Sequence, residues 1–588
     1  MDKVSAFKKA KDWAENSCFD ASTRKEVAQL IESDQTKEIL ERFSCELAFG
    51  TGGMRGLVGA GTARVNRYTM KKATTALCLY MKEVYGNKSS LKVAISFDSR
   101  NTSKEFSEVV SSVLAYHGIH TYLTRELRPT PMLSFMVRHF QCEAGICLTA
   151  SHNPPSYNGY KVYWADGGQI VDPHDEGIIS HYNRLDNYAH LKSFEFNEAC
   201  EKGFITYCDE EADLHYLKVQ REVTYRQPKK RDQKIVYTPL HGAGGTILPR
   251  LMKERGYENF FLVPEQKDPD GLFPTVTSPN PEDTEALVLG KAYADKKGAR
   301  LVLATDPDAD RLGVSFKNND TWVDLNGNEM ASLLTSYIFS SLAENSFSFK
   351  NSYIVKTNVT TDLLRKIAHK YSCDCYETLT GFKWIASIMA KKEKEGKTFL
   401  CGGEESLGFL AKDFVRDKDA ISTAALFCEF YSYCEEKKQS VLEVLDTIYE
   451  EFGVHSESLK TLSLPGLDGL EKINKIMSSF RAFEKKEFFG LQVLEFLDYK
   501  KRTKHSSKNS YKEEAFTLFP ESDVLSFSLE NNLKVMIRPS GTEAKIKFYF
   551  SFAEDMRTLP SIPLKTRKEN SLHTLKSFQE NFLSHLSF

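Results

Sequence analysis

The sequence predicts an α/β protein: three successive similar βαβαβ domains followed by a C-terminal α+β domain, arranged around a central cleft. Three observations carry that expectation. A strand, helix, strand, helix, strand order recurs three times along the chain. Each pass places its most polar, glycine-rich or acidic cluster just beyond its last strand, where open α/β sheets bind their ligands. Towards the C-terminus the pattern changes to paired strands closed by a helix.

The elements justify this in order. In the first pass Leu91 to Phe97 reads as a strand, Ser103 to His117 as an amphipathic helix and His120 to Leu123 as a second strand. Pro131 to Phe140 follows as a helix and Ala144 to Leu148 as the third strand, running into TASHNP around Ser151. The second pass runs through KIVYT from Lys234, a helix over Thr246 to Arg255, FFLV, a helix over Thr284 to Lys297 and RLVLA, and ends in TDPDADR at Thr305 to Arg311. The third takes SYIVK from Ser352, a helix over Thr361 to Tyr371, a short strand at Cys375 to Thr378, a helix over Lys383 to Lys394 and TFLC, and ends in GGEES at Gly402 to Ser406. Beyond a helical region at Leu470 to Arg481, the Lys- and Ser-rich stretch Tyr499 to Glu514 reads as a solvated loop. LSFSL and LKVMIR then pair across an Glu530, Asn531, Asn532 turn, IKFYF follows, and Leu572 to Leu586 closes the chain as a helix.

Composition narrows the function. A chain of 588 residues is long enough for about three to five domains, so a single small binding module is excluded. With 78 Lys and Arg against 80 Asp and Glu the net charge is −2, which offers no global footprint for nucleic acid or a membrane surface. An anionic ligand must be gripped locally. The N-terminus MDKVSAFKKAKDWAENS lacks an apolar signal core, and no later run approaches a membrane span, so the expectation is a cytoplasmic protein. The twelve cysteines form no CxxC pair and suit buried reduced thiols.

Five clusters are able to carry chemistry. Asp306, Asp308 and Asp310 alternate after a buried strand, and three hard oxygen ligands at that spacing suit one Mg²⁺. An EF-hand would need Gly at Arg311 and Glu at Lys317, so it fails twice. A dehalogenase-type phosphatase using Asp306 as nucleophile and Asp308 as acid fits in part, and a polar turn fits as well. Ser151 lacks the glycines of a GxSxG elbow, and a serine followed by Asn and Pro also suits a turn or helix cap. Its companions, the acid triad and a candidate base at Lys161, favour a catalytic role. RPSGTEAK offers Arg538, Ser540, Gly541 and Thr542 as a phosphate grip or a β-turn, and GGEES offers Glu404 and Ser406 to sugar hydroxyls or to an exposed turn. FGTGGMRG misses the spacing of nucleotide-binding loops; Arg55 between its glycines reads as an anion contact on a flexible loop, or as part of a plain one.

Together and in order, TASHNPPSYNGYKVY, TDPDADRLGV, LTGFKW, GGEESLGF and RPSGTEAKIKFY resemble the α-D-phosphohexomutase superfamily of phosphoglucomutases and phosphomannomutases, from about Gly50 to Tyr549. FGTGGMRG and EESLGFLAKDFVRDKDA look most like the branch that holds bacterial-type phosphoglucomutases and the phosphoglucomutase-2 or phosphopentomutase group. The resemblance implies four domains, at 1–209, 210–322, 323–455 and 456–588, carrying in turn a phosphoserine, a metal, a sugar and a phosphate loop. It implies Ser151 as the phosphorylated serine, which with Asp306, Asp308 and Asp310 would hold one Mg²⁺ per site. His152 and Arg311 would line that site, and Arg55 and Lys161 would serve proton transfer. Thr380, Gly381 and Lys383 would contact the sugar, Glu404 and Ser406 its hydroxyls, and Arg538, Ser540, Gly541 and Thr542 the phosphate that is not reacting.

The implied reaction interconverts glucose 1-phosphate and glucose 6-phosphate through glucose 1,6-bisphosphate as activator and intermediate. Phosphopentomutase, phosphomannomutase and glucose-1,6-bisphosphate synthase stay open on the same motifs, and a metal-dependent sugar phosphatase stays open from outside them. The implied partner is a phosphosugar, with neither nucleic acid nor membrane, and the implied state a monomer or weak dimer. Three positions depart from the pattern: Ala544 stands where Pro is usual, Lys547 where Arg is frequent and Ala420 where Gly is common after DKD. None removes a ligand.

Overall fold

The computed structural model describes residues 3–50, 52–86, 88, 90–464, 469–482, 486–540, 544–555 and 562–586. Packing divides the chain into two compact units, one of Met1–Asn326, Phe382–Cys401 and Ser406–Tyr433, the other of Gly327–Gly381, Gly402–Glu405 and Cys434–Phe588. Among the described residues no helix is long and apolar enough to cross a membrane. No disulfide joins the twelve cysteines.

The first unit holds two open sheets. In the six-stranded sheet the order is Gly53–Leu57, Tyr157–Trp164, Ala144–Leu148, Lys92–Phe97, His120–Leu123, Ile205–Tyr207. The chain leaves Lys92–Phe97 for His120–Leu123 on one side, through helix Ser103–Tyr116. It returns through helix Thr130–His139 to Ala144–Leu148 on the other side, and all three strands are parallel. The switch point of this sheet therefore lies at the carboxyl ends of Lys92–Phe97 and Ala144–Leu148, directly beneath Ser151. Strand Ala144–Leu148 is buried at every position, as a central parallel strand must be.

The five-stranded sheet repeats the device. Its order is Thr321–Leu325, Leu312–Asn318, Leu301–Thr305, Ile235–Thr238, Phe260–Leu262, with the last three parallel. Its switch point falls between Ile235–Thr238 and Leu301–Thr305, and the acid loop from Asp306 begins there. The third pass recurs in the expected order as Ser352–Thr357, Leu363–Lys370, Asp374–Thr378, Phe382–Lys394 and Thr398–Gly403. In the second unit an antiparallel sheet runs Leu491–Asp498, Leu525–Leu529, Leu533–Pro539, Lys545–Ala553, His455–Ser463, and helices Gly469–Arg481 and Leu564–Ser584 cover it. Phe527, Val535, Phe548, Phe578 and Phe582 form its core.

The structure differs from the sequence reading in two places and adds N-terminal helices on which that reading is silent. FGTGGMRG is not a flexible loop: Gly53–Leu57 is a strand, antiparallel to Tyr157–Trp164, with Arg55 opposite Gly159. The glycines serve close backbone approach. A Cβ at Gly53, where φ is +135°, would stand 1.9 Å from the Tyr160 carbonyl oxygen. Gly53→Ala is therefore expected to cost roughly 2–4 kcal/mol, through steric overlap and a left-handed φ that alanine resists. Urea titration followed by circular dichroism measures it, and an unchanged midpoint would refute the steric argument.

The Lys- and Ser-rich stretch also contains structure, with Thr503–Ser506 and Glu514–Ala515 continuing the edge of the second unit's sheet. Thr503–Ser506 is paired on both sides, and Glu514–Ala515 forms the edge; Lys504 Nζ reaches Glu495 on the neighbouring strand at 2.6 Å. Lastly, the N-terminus folds into helices Lys3–Glu15, Ala21–Glu32 and Thr36–Phe43. They enclose Trp13, Phe19, Val27, Ile39 and Phe43 against Tyr68.

Candidate functional site

Two loops of the first unit meet. Ser151 follows its buried strand with φ +51°, and Ala309, inside the acid loop, has the same φ of +51°. Non-glycine residues held left-handed cost on the order of 1–3 kcal/mol each, and surrounding bonds must enforce them. At Ser151 the backbone N–H donates to Thr149 Oγ1 at 2.8 Å, while Arg100 Nη2 donates to the Ser151 carbonyl at 2.7 Å. At Ala309 the N–H donates to the Asp306 carbonyl at 2.9 Å.

The result is a serine hydroxyl seated on the acid triad: Ser151 Oγ donates to Asp306 Oδ2 at 2.8 Å and lies 3.1 Å from His152 Nδ1. Asp306 Oδ1 accepts the backbone N–H groups of Asp310 and Arg311, each at 3.1 Å. Asp308 Oδ2 accepts Thr130 Oγ1 at 2.8 Å and Lys161 Nζ at 2.7 Å. Asp310 Oδ2 meets Lys418 Nζ at 2.9 Å and Lys161 Nζ at 3.4 Å. Arg311 Nη1 donates to Glu282 Oε1 at 2.6 Å.

The electrostatics follow from burial and crowding. Burial, reinforced by Asp308 and Asp310, raises the Asp306 carboxyl well above the usual range. Burial would raise Asp310 too, but Lys418, Lys161 and Arg311 overcome it and hold Asp310 below the ordinary carboxylate range. Burial, aided by Arg311 and Arg55, pushes His152 well below the usual imidazole value, so it is neutral at pH 7. Burial also works against the Lys161 ammonium, yet Asp308, Asp310 and Asp417 outweigh it and hold Lys161 well above the lysine range. This is the reverse of the depression that base chemistry asks of Lys161, because Asp308 at 2.7 Å and Asp310 at 3.4 Å favour its charged form.

Each triad carboxylate lies within reach of one common point: one oxygen from each of Asp306, Asp308 and Asp310 falls within 4.8 Å of the others. Asp308 Oδ1 and Asp310 Oδ1 are buried without a hydrogen-bond partner. Buried oxygens left with free lone pairs, and all of them hard donors, fit a small divalent cation of the Mg²⁺ type.

Arg55, Ser151, His152, Lys161, the three aspartates and Arg311 are thus brought together. The first unit also carries Lys383, at the start of helix Phe382–Lys394, and Ser406. The second unit carries Thr380, Gly381, Glu404, Arg538 and Ser540. There Gly381 N–H donates to Glu404 Oε1 at 2.8 Å, and Ser540 N–H donates to the Lys545 carbonyl at 2.8 Å. Gly541 and Thr542 lie outside the described residues.

Sequence reasoning missed three side chains. Arg100, 3% exposed, donates to the carbonyls of Ser151, Asn153, Pro154 and Tyr157 at 2.5 to 2.8 Å and so holds the whole serine loop. Thr130 and Lys418 grip the acid loop. The only sequence signals were DSR after a buried strand and a lysine between two aspartates in DKD.

Comparison with known proteins places the chain in a family. Profiles of phosphoglucomutase/phosphomannomutase α/β/α domains I, II and III match residues 46–189, 214–319 and 326–452. A phosphoglucomutase of Staphylococcus saprophyticus is 36% identical over 89% of this chain and 94% of its own. A Homo sapiens phosphopentomutase is 33% identical over 91% of this chain and 89% of its own. Among solved structures, the open form of parafusin, a phosphoglucomutase from Paramecium, shares the fold with a TM-score of 0.63 at 16% identity, covering 91% of this chain and 95% of that one. By three consecutive domain matches and a relative above one-third identity, the chain belongs to the phosphoglucomutase/phosphomannomutase family of the α-D-phosphohexomutase superfamily and is a mutase enzyme, an intramolecular phosphotransferase.

Proposed function

We propose that this mutase interconverts glucose 1-phosphate and glucose 6-phosphate through a phosphoserine at Ser151 and a bisphosphorylated sugar. The observation that carries the reading is the Ser151 hydroxyl held 2.8 Å from Asp306 within the buried acid triad. That arrangement supports a serine that gives and takes a phosphoryl group rather than one that merely caps a turn.

Asp306, Asp308 and Asp310, with an oxygen on Ser151, would hold Mg²⁺. When bound, the ion supplies charge neutralisation to a phosphoryl oxygen. The remaining work falls to the protein. Phosphoryl transfer has a loose transition state, so positioning and charge matter more than covalent help. Arg100 fixes the serine loop, and Lys161 and Arg311 place positive charge beside Ser151. Neutral His152 can exchange a hydrogen bond with the serine oxygen. In the second unit Glu404 would hold sugar hydroxyls, while Arg538 and Ser540 would hold the phosphate that is not reacting. A grip that reads phosphate and paired hydroxyls serves both orientations of a bisphosphate, as a mutase requires. Lys383, Thr380, Gly381 and Ser406 would complete the sugar contacts, and the four expected domain boundaries belong to the same reading.

A substrate panel tests it. With Mg²⁺ and a trace of bisphosphate, glucose 1-phosphate is expected to turn over at least ~10-fold faster than mannose 1-phosphate or ribose 1-phosphate, a difference of about 1.4 kcal/mol in transition-state binding. Comparable rates on all three would show that the activity is broader. A faster rate on ribose 1-phosphate would favour a phosphopentomutase, the activity for which the human relative is named.

A further inference from the structure

Away from the acid triad, the first unit carries a second cluster with metal-binding chemistry, of a different kind. Glu211 and His215 stand one turn apart on helix Asp209–Arg221, and His139 ends helix Thr130–His139. One ligand atom from each lies within 4.8 Å of the other two. His139 Nε2 is 3.5 Å from Glu211 Oε1, and the two imidazole rings are 4.5 Å apart between centroids.

We propose that His139, Glu211 and His215 form a second divalent-metal site of the zinc type, with water as the fourth ligand. Ligand chemistry separates the two centres. Three carboxylates suit a hard ion such as Mg²⁺, whereas two imidazoles and one carboxylate suit Zn²⁺, whose sites commonly take three protein ligands and a water. The geometry is close to what the ion needs. Tetrahedral bonds of about 2.0–2.1 Å bring ligand atoms to roughly 3.4 Å apart, so the cluster must tighten by about 1 Å or so.

The parts that have to move can move. The Glu211 side chain is 61% exposed and free to turn, while the His139 ring is held by stacking on Phe135 at 5.3 Å. The two imidazoles also come from different helices, so the ion would clip those helices together.

Both helices lead to the catalytic loops. Helix Thr130–His139 begins at the threonine that grips Asp308, about 14 Å away along the helix axis. Helix Asp209–Arg221 carries Tyr216 and Gln220, which donate to Asp419 at 3.0 and 2.6 Å, next to Lys418. A clip here would stiffen two supports of the acid loop without touching substrate.

The test is calorimetric titration of Zn²⁺ into the full chain without a histidine tag, under saturating Mg²⁺ so that the acid triad is occupied. Co²⁺ serves as a spectroscopic stand-in, with intense visible bands expected for four-coordination. One equivalent should bind, and His139→Gln or His215→Gln should weaken it at least ~100-fold while keeping the native circular dichroism and Mg²⁺-dependent turnover. Asp308→Asn should bind Zn²⁺ as the parent does. No binding by the parent would overturn the proposal, as would histidine variants that bind undiminished or a loss of Zn²⁺ binding in Asp308→Asn.

Discussion

Ser151→Ala is expected to lower mutase turnover by about 10⁴-fold or more, the scale on which removal of a covalent nucleophile acts. The substitution keeps the Cβ and the left-handed backbone that Thr149 and Arg100 already enforce, so the loop should persist. What disappears is the hydroxyl and its bond to Asp306, whose loss strands one buried carboxylate oxygen at about 1–3 kcal/mol. A folded but inactive protein is the expected result, measured by coupled assay beside a thermal melt.

The same variant decides against the phosphatase reading. A phosphatase with Asp306 as nucleophile would keep its activity without Ser151. The geometry already disfavours that, because Asp306 is fully buried and both its oxygens are engaged, one by two backbone N–H groups and the other by Ser151. Phosphopeptide mass spectrometry of the parent enzyme should find phosphate on Ser151. Turnover in Ser151→Ala within tenfold of the parent would sink the phosphoserine mechanism.

What could be read from the sequence follows from where each residue's partners lie. Ala144–Leu148 and His120–Leu123 are bounded as expected because apolar runs between turn residues announce a strand locally. The acid triad was legible because its three members share one loop. Gly53–Leu57 was not, since glycines signal freedom in a sequence even when they serve close packing, and the partner strand lies about a hundred residues on. Lys418 was missed because it meets Asp310 only through the fold. Arg100 left least trace of all: its guanidinium serves main-chain carbonyls, which are present at every position and mark none.

Arg100→Met should therefore have the second large effect, and it separates support from chemistry. Arg100 pairs with Asp98 at 3.2 Å, both side chains almost wholly buried. Burial already raises the Asp98 carboxyl, and Arg100, Thr149 and Ser103 pull the other way. Removing the guanidinium leaves a buried charge without its partner and takes one donor from each of four carbonyls, which together should cost about 3–5 kcal/mol. Turnover should fall about 10²-fold even where the variant is folded, because the loop that aims Ser151 loses its tie. Adding Asp98→Asn relieves the uncompensated charge, so the double variant should recover part of the melting temperature. It should not recover turnover, since the carbonyls of Ser151, Asn153, Pro154 and Tyr157 still lack the one guanidinium that links them. Recovery of both in the double variant would mean that Arg100 acts only as the counter-ion of Asp98, and that the serine loop finds its geometry from the Asp306 bond alone.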